Sequence, residues 1–165
     1  MSTGGPAVRV ADDEDLQQLP AVEAAADALF VPLGVTDLPL PATAEERARA
    51  WRVLVVGRPV AGFAVLERVD GAVHLEQLSV HPAHGRRGIG SALLAATLDA
   101  ARRSGADRVT LLTYADVPWN APFYARHGWS VTTELTPGLQ ALRRRETELG
   151  LDRHGPRVVM VQPAG

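Results

Sequence analysis

The sequence predicts an α+β fold: a mixed, mostly antiparallel central sheet of six to seven strands with helices on both faces. Two observations carry this. Between residues 51 and 80, three apolar runs are separated by the short turns Gly57-Arg58-Pro59 and Asp70-Gly71; runs spaced this way pair as hairpins, so they form an antiparallel meander. Beyond residue 81, amphipathic helical stretches alternate with apolar runs, and a strand reached through a helix enters the sheet by a crossover.

Taken in order, residues 1–6 are small and polar and are expected to be flexible. Residues 7–10 form a short strand. Asp12-Asp13-Glu14-Asp15 then supplies the acidic first turn of a helix running to about Phe30, read as a solvated helix start. Pro32, Pro39 and Pro41 among Leu33, Val35, Leu38 and Leu40 exclude a regular helix over 31–42, so this segment either lines a binding site or packs on the core. Thr43 caps a short helix to about Ala50. Strands follow at 51–56, 60–68 and 73–80. The next helix starts near Gly90, with Ile89, Ala92, Leu93, Ala96 and Ala100 on its apolar side and Gly105 as its stop. Residues 108–113 read as a strand, 118–128 as a short helix ended by Gly128, and 129–134 as another strand. A helix over 137–149 carries Arg143, Arg144, Arg145 and Glu146, taken as a solvated face. Residues 157–161 close the sheet as an exposed edge at which two copies could pair into a homodimer. The 165 residues are read as a single domain.

Composition removes several function classes. With 46% hydrophobic residues the chain can bury about 70% of its unfolded surface around one core. A net charge of −2 and a pI near 6.2 give no field for nucleic acid or an anionic membrane. The absence of cysteine excludes disulfides, thiolate metal ligands and an acyl-cysteine relay. The five histidines, at 74, 81, 84, 127 and 154, show no metal-binding spacing with a carboxylate, so no metal is expected. No apolar run approaches the ~20 residues of a membrane span, and the start of the chain lacks the pattern of a signal peptide, so a cytoplasmic location is expected.

The chemistry concentrates in residues 75–94, an apolar run, a basic glycine-rich turn and a helix start. The first turn of a helix leaves backbone N–H groups without internal partners and carries roughly half a positive charge, so anions bind there. Gly88 and Gly90 remove side chains that would hold an anion away, while Arg86 and Arg87 add permanent charge. The turn reads as a phosphate or pyrophosphate site. It is not a P-loop, because Ser91 follows Gly90 with no lysine between, and not a dinucleotide fingerprint, because Leu93 stands at the last position of that pattern.

Val80-His81-Pro82 followed by Gly88 and Gly90 resembles the acetyl-coenzyme A signature of the GCN5-related N-acetyltransferases (GNAT), although Gly85 stands where that family usually carries Gln or Arg. The resemblance extends over nearly the whole element order and implies the GNAT fold, acetyl-coenzyme A as co-substrate and acetyl transfer to an amine. It implies that the backbone of Leu78, Ser79 and Val80 meets the pantetheine arm and that Arg86, Arg87, Gly88, Ile89, Gly90 and Ser91 hold the pyrophosphate. Phe123-Tyr124-Ala125-Arg126-His127-Gly128-Trp129 is similar to the family element whose tyrosine lies near the coenzyme sulfur, making Tyr124 the proton donor to the leaving thiolate. Tyr114, the other of two tyrosines, reads as a packing residue. Asn120 resembles a coenzyme-contacting asparagine at a shorter spacing, or caps the helix that follows.

Acetylation of an amine needs a base. An amine of pKa about 10 is protonated at pH 7, and freeing its lone pair costs about 4 kcal/mol. Alternation along the strand before the loop puts His74 and Glu76 on one face, and either can accept a proton directly or through water. The resemblance favours Glu76, with His74 second. The expected function is thus an acetyl-coenzyme A-dependent N-acetyltransferase acting by direct attack in a ternary complex, on a small-molecule or peptide amine. The competing expectation is a coenzyme A-binding regulatory or interaction module without turnover.

Overall fold

The computed structural model describes residues 5–165. The flexible start expected for residues 1–6 falls outside the described residues over 1–4, and Gly5 and Pro6 belong to no regular element. The strands are β1 (Val8–Val10), β2 (Arg52–Val56), β3 (Gly62–Val69), β4 (Ala72–Val80), β5 (Arg108–Tyr114), β6 (Ser130–Thr132) and β7 (Arg157–Pro163). They form one seven-stranded sheet in the order β1-β2-β3-β4-β5-β7-β6. The helices are α1 (Asp13–Asp27), α2 (Ala44–Ala48), α3 (Ile89–Arg103), α4 (Ala121–Arg126) and α5 (Pro137–Glu148). This is the α+β class and the mixed sheet that the sequence predicts. Two compact units divide the chain: the described residues up to Glu67 with Glu76–Thr97, and Arg68–Leu75 with Leu98–Gly165.

In the first unit, β1 and β3 flank β2, both antiparallel, with Arg9 opposite Val55 and Leu54 opposite Ala64. Leu16, Leu19 and Val22, at helical spacing on α1, pack with Val53, Val55, Phe63 and Val65, which alternate along β2 and β3, into one buried cluster. Asp12 and Asp15 form a reciprocal capping box at the start of α1, each side chain accepting from the other's N–H at 2.9 Å. Asp15 is not solvated as the sequence suggests: it is buried and paired with Arg9, whose Nη2 also donates to the Gly57 carbonyl at 3.0 Å. That hydrogen-bonded partner holds the Asp15 carboxyl well below the usual carboxylate range. Helix α1 ends at Asp27 and a 3-10 turn continues over Ala28–Leu33 until Gly34 turns left-handed at φ 83°. The proline-rich segment beyond it is irregular, as expected, and Thr43 caps α2 by accepting from Glu46 N–H at 3.2 Å.

In the second unit, Asp70 and Gly71 have φ of 51° and 81°, the pair of left-handed residues a tight two-residue turn requires. Strand β4 pairs with β5 in parallel, His74 opposite Thr110, which is the expected crossover. Strand β5 pairs antiparallel with β7 along seven residues, and β6 pairs with the other side of β7. The expected exposed edge at 157–161 is therefore wrong: β7 is an inner strand, and the homodimer pairing argued from that edge loses its basis. The terminal run lies between β5 and β6 and pairs with β5 over seven residues, a longer ladder than the three-residue β6 offers; just past β6, Thr132 Oγ1 accepts from Glu134 N–H at 3.1 Å. The expected solvated face of α5 is corrected as well. Glu146 is largely buried in a pair with Arg157, with Arg143 at 2.9 Å, and only Arg144 and Arg145 of that run are exposed.

Candidate active site

The loop after β4 is pinned at its base and open at its mouth. His81 N–H donates to the Ala61 carbonyl at 2.8 Å, His81 Nδ1 accepts from Ala83 N–H at 3.1 Å, and a 3-10 turn follows over Pro82–His84. Arg86 at φ 63° and Gly88 at φ 76° then rotate the backbone into the left-handed region. The first hydrogen bond of α3 runs from Ala92 N–H to the Gly88 carbonyl at 3.0 Å. No group among the described residues accepts from the amides of Arg86, Arg87, Gly88, Ile89 and Gly90, and neither guanidinium pairs with a carboxylate there. Arg86, Arg87 and Ser91 are exposed. Unpartnered amides at the positive end of a fifteen-residue helix, beside two cations, are donors and charge of the kind that attracts a multiply charged anion. A coenzyme pyrophosphate fits that donor set.

Gly62, which sequence reasoning passed over, holds the mouth together from beneath. A Cβ there would stand 2.7 Å from Ile89 Cγ2 and 3.1 Å from the Ser79 carbonyl. Glycine at a strand start is the available signal, since it marks close approach of another element. Gly62→Ala is expected to push Ile89 and the first turn of α3 outward, raising the Kd for coenzyme A about tenfold and costing about 1–3 kcal/mol of stability by overpacking. Calorimetry with coenzyme A and thermal melts check both.

On β4 itself, Leu78 and Val80 are half-buried, and Ser79 is buried with its Oγ accepting from Gln77 Nε2 at 2.9 Å. The Glu76 side chain is 41% exposed and its Oε2 is ion-paired with Arg47 Nη1. Arg47 Nη2 in turn donates to Glu23 Oε1 at 2.9 Å, and Arg47 and Glu23 are both buried. Burial pushes the Glu23 carboxyl above its ordinary value, against the charge of Arg47. Nothing in the sequence singles out Glu23 or Arg47, because what joins them to Glu76 is contact between residues 24 and 29 positions apart.

The remaining candidates lie in the second unit. His74 is 3% exposed and its Nδ1 meets Thr110 Oγ1 at 2.8 Å. Burial lowers its pKa from 6.5 to about 4, with Glu146 acting in the opposite direction. Tyr124 is buried on α4 with its ring edge-on to Trp129 at 5.9 Å. Burial raises its phenol well above the ordinary tyrosine value, and the charge of Arg157 opposes that shift. Asn120 sits at the start of α4 but makes no side-chain cap; its Oδ1 accepts instead from Tyr114 N–H at 3.3 Å, so the capping alternative is not what the structure shows. Tyr114 packs as expected, donating to the Leu151 carbonyl at 3.0 Å with Arg157 stacked 4.4 Å above its ring.

Residues 22–129, which include the anion loop, Glu76 and Tyr124, match the sequence model of the Acetyltransferase (GNAT) family, and the chain belongs to that family. It is similar to a mycothiol acetyltransferase of Kineococcus radiotolerans, 43% identical over 75 residues that make up 46% of this chain and 22% of that relative's length. Its fold is that of the ribosomal-protein-S18-alanine N-acetyltransferase of Escherichia coli, with TM-score 0.68 and 18% identity over 96% of this chain and 94% of the other. The PaiA N-acetyltransferase of Thermoplasma acidophilum, solved in complex with coenzyme A, matches with TM-score 0.68 and 16% identity over 97% and 99% of the two chains.

Proposed function

We propose that the chain is an acetyl-coenzyme A-dependent N-acetyltransferase, acting as one domain, in which an amine attacks the thioester directly. The observation that carries this reading is that β4, which leads into the loop with the open cluster of amides at residues 86–90, also holds the solvent-accessible carboxylate of Glu76. A pure coenzyme-binding module needs the amides but not the carboxylate.

In this reading the loop amides at 86–91, with Arg86 and Arg87, hold the pyrophosphate. The backbone of Leu78, Ser79 and Val80 meets the pantetheine amides, and the Asn120 side-chain nitrogen offers a further contact. Glu76 takes a proton from the incoming ammonium, and the amine lone pair attacks the acetyl carbon. As the carbon–sulfur bond breaks, Tyr124 protonates the sulfur, and the second proton leaving the nitrogen restores the phenol. Burial keeps the Tyr124 phenol protonated but also makes it a weaker acid, so in this reading the proton moves only as negative charge develops on the sulfur. Exposure favours Glu76 over His74 as base, since the imidazole is enclosed and its Nδ1 is engaged by Thr110. The acceptor is a small-molecule or peptide amine, a range supported by the names of the mycothiol and ribosomal-protein relatives. A cytoplasmic location is part of the same proposal; no helix among the described residues is long and apolar enough to cross a membrane.

The test is release of free thiol from acetyl-coenzyme A across a panel comprising a diamine, an amino sugar, a free amino acid and a peptide with an alanyl N-terminus. At least one amine is expected to accelerate release, and Tyr124→Phe is expected to lower kcat about 10- to 100-fold with coenzyme A affinity within about twofold of wild type. Coenzyme A binding without acceleration by any amine would instead assign the chain a regulatory role.

A further inference from the structure

The first unit contains a charged chain, Glu23, Arg47 and Glu76, of which the reaction scheme above uses only Glu76. Arg47 projects from the end of α2, where its own N–H donates to the Thr43 carbonyl at 3.0 Å. Its two terminal nitrogens reach different carboxylates, Glu23 at 2.9 Å and Glu76 at the surface. A guanidinium spans two acceptors in this way because its donors are fixed in a planar fork.

We infer that Arg47 is a positioning residue for acetyl transfer: neutralised by Glu23, it clamps one oxygen of Glu76 so that Oε1 is presented to the amine's proton. The inference rests on the proposed role of Glu76. Three features carry it beyond an ordinary ion pair. First, Arg47 Nε is buried with no acceptor. A buried guanidinium with an unsatisfied donor is a poor device for stability, where an apolar side chain of similar size would often serve as well or better. Second, the exposed Glu76 side chain has rotameric freedom that a base must give up, since about 1 Å of misplacement can cost about a hundredfold in rate. Third, the triad of two carboxylates and one guanidinium keeps net negative charge. Arg47 thereby orders Glu76 without turning the site repulsive to an ammonium, which an arginine lacking Glu23 would do.

The experiment measures kcat and KM with the best acceptor of the amine panel for Arg47→Met, Arg47→Lys, Glu23→Gln, Glu76→Gln and the double variant Arg47→Met with Glu76→Gln. The expected result is a kcat about 10- to 100-fold lower for Arg47→Met, partial recovery in Arg47→Lys, and an unchanged KM for acetyl-coenzyme A. The double variant is expected to be no slower than Glu76→Gln alone, because Arg47 acts only through Glu76. Melting temperatures separate misfolding from misplacement, and a crystal structure of Arg47→Met is expected to show Glu76 in more than one rotamer. Wild-type kcat in Arg47→Met, a multiplicative loss in the double variant, or a single unchanged Glu76 conformer would overturn the inference. Wild-type kcat in Glu76→Gln would instead overturn the assignment of the base and leave the positioning idea without its object.

Discussion

Glu76→Gln is expected to lower kcat with an amine acceptor by about a hundredfold or more at pH 7 while leaving coenzyme A affinity unchanged, since general base catalysis contributes about 10²- to 10⁴-fold. Gln is close to isosteric with Glu and its carbonyl can still accept from Arg47, so the Arg47–Glu23 pair keeps its surroundings and the loop amides are untouched. What is lost is the ability to take a proton. The deficit should shrink as pH rises, because each unit below an amine pKa of about 10 leaves about tenfold less free amine, and solvent performs the deprotonation as that value is approached. Initial rates from pH 7 to pH 9.5 check this. A deficit that stays constant over that range means the carboxylate does something other than remove the amine's proton.

The contribution of His74 to stability is expected to fall by on the order of 3 kcal/mol as pH drops from about 6.5 to about 4. The sign follows from burial. The folded protein holds His74 neutral down to about pH 4, whereas in the unfolded chain the imidazole gains its proton near 6.5. In between, the unfolded state binds more protons, so acid favours unfolding; above 6.5 the contribution is fully present. Asp27 works in the opposite direction over part of this range, because burial raises its pKa to about 6 and the folded state binds its proton more tightly. The quantity to measure is therefore the difference in unfolding free energy between wild type and His74→Gln from pH 7.5 to pH 4. It should narrow or reverse in acid as the wild type loses the His74 term. A proton NMR titration of the His74 ring in the wild-type protein gives the same answer without a substitution, and a midpoint near 6.5 would contradict it.

Local signals were legible where the chain's own chemistry dictates them. The Asp70-Gly71 turn, the Thr43 cap, the stop at Gly105 and the apolar stripe of α3 depend on residues a few positions apart, and each stands where expected. The turn before α3 was legible for the same reason, since unpartnered amides follow from a helix start and glycines allow the turn. The position of β7 was not legible. Which strands flank the last one depends on pairings between residues far apart in the chain, which no short local pattern encodes. Glu146 was misread because its partner, Arg157, lies on another element, and helical periodicity carries no information about distant charge.

The sequence by itself thus determined the class of sheet, the helix whose start makes the anion site, and the pair of strand residues from which a base would come. Tertiary structure alone set their different surroundings: a hydrogen bond with Thr110 engages the buried His74, while Glu76 stays open to solvent in the grip of an arginine twenty-nine residues earlier in the chain. Backbone chemistry is local and repeats wherever the same short pattern occurs. Desolvation and ion pairing depend on what lies within a few ångströms in space, and that is set only once the chain has folded.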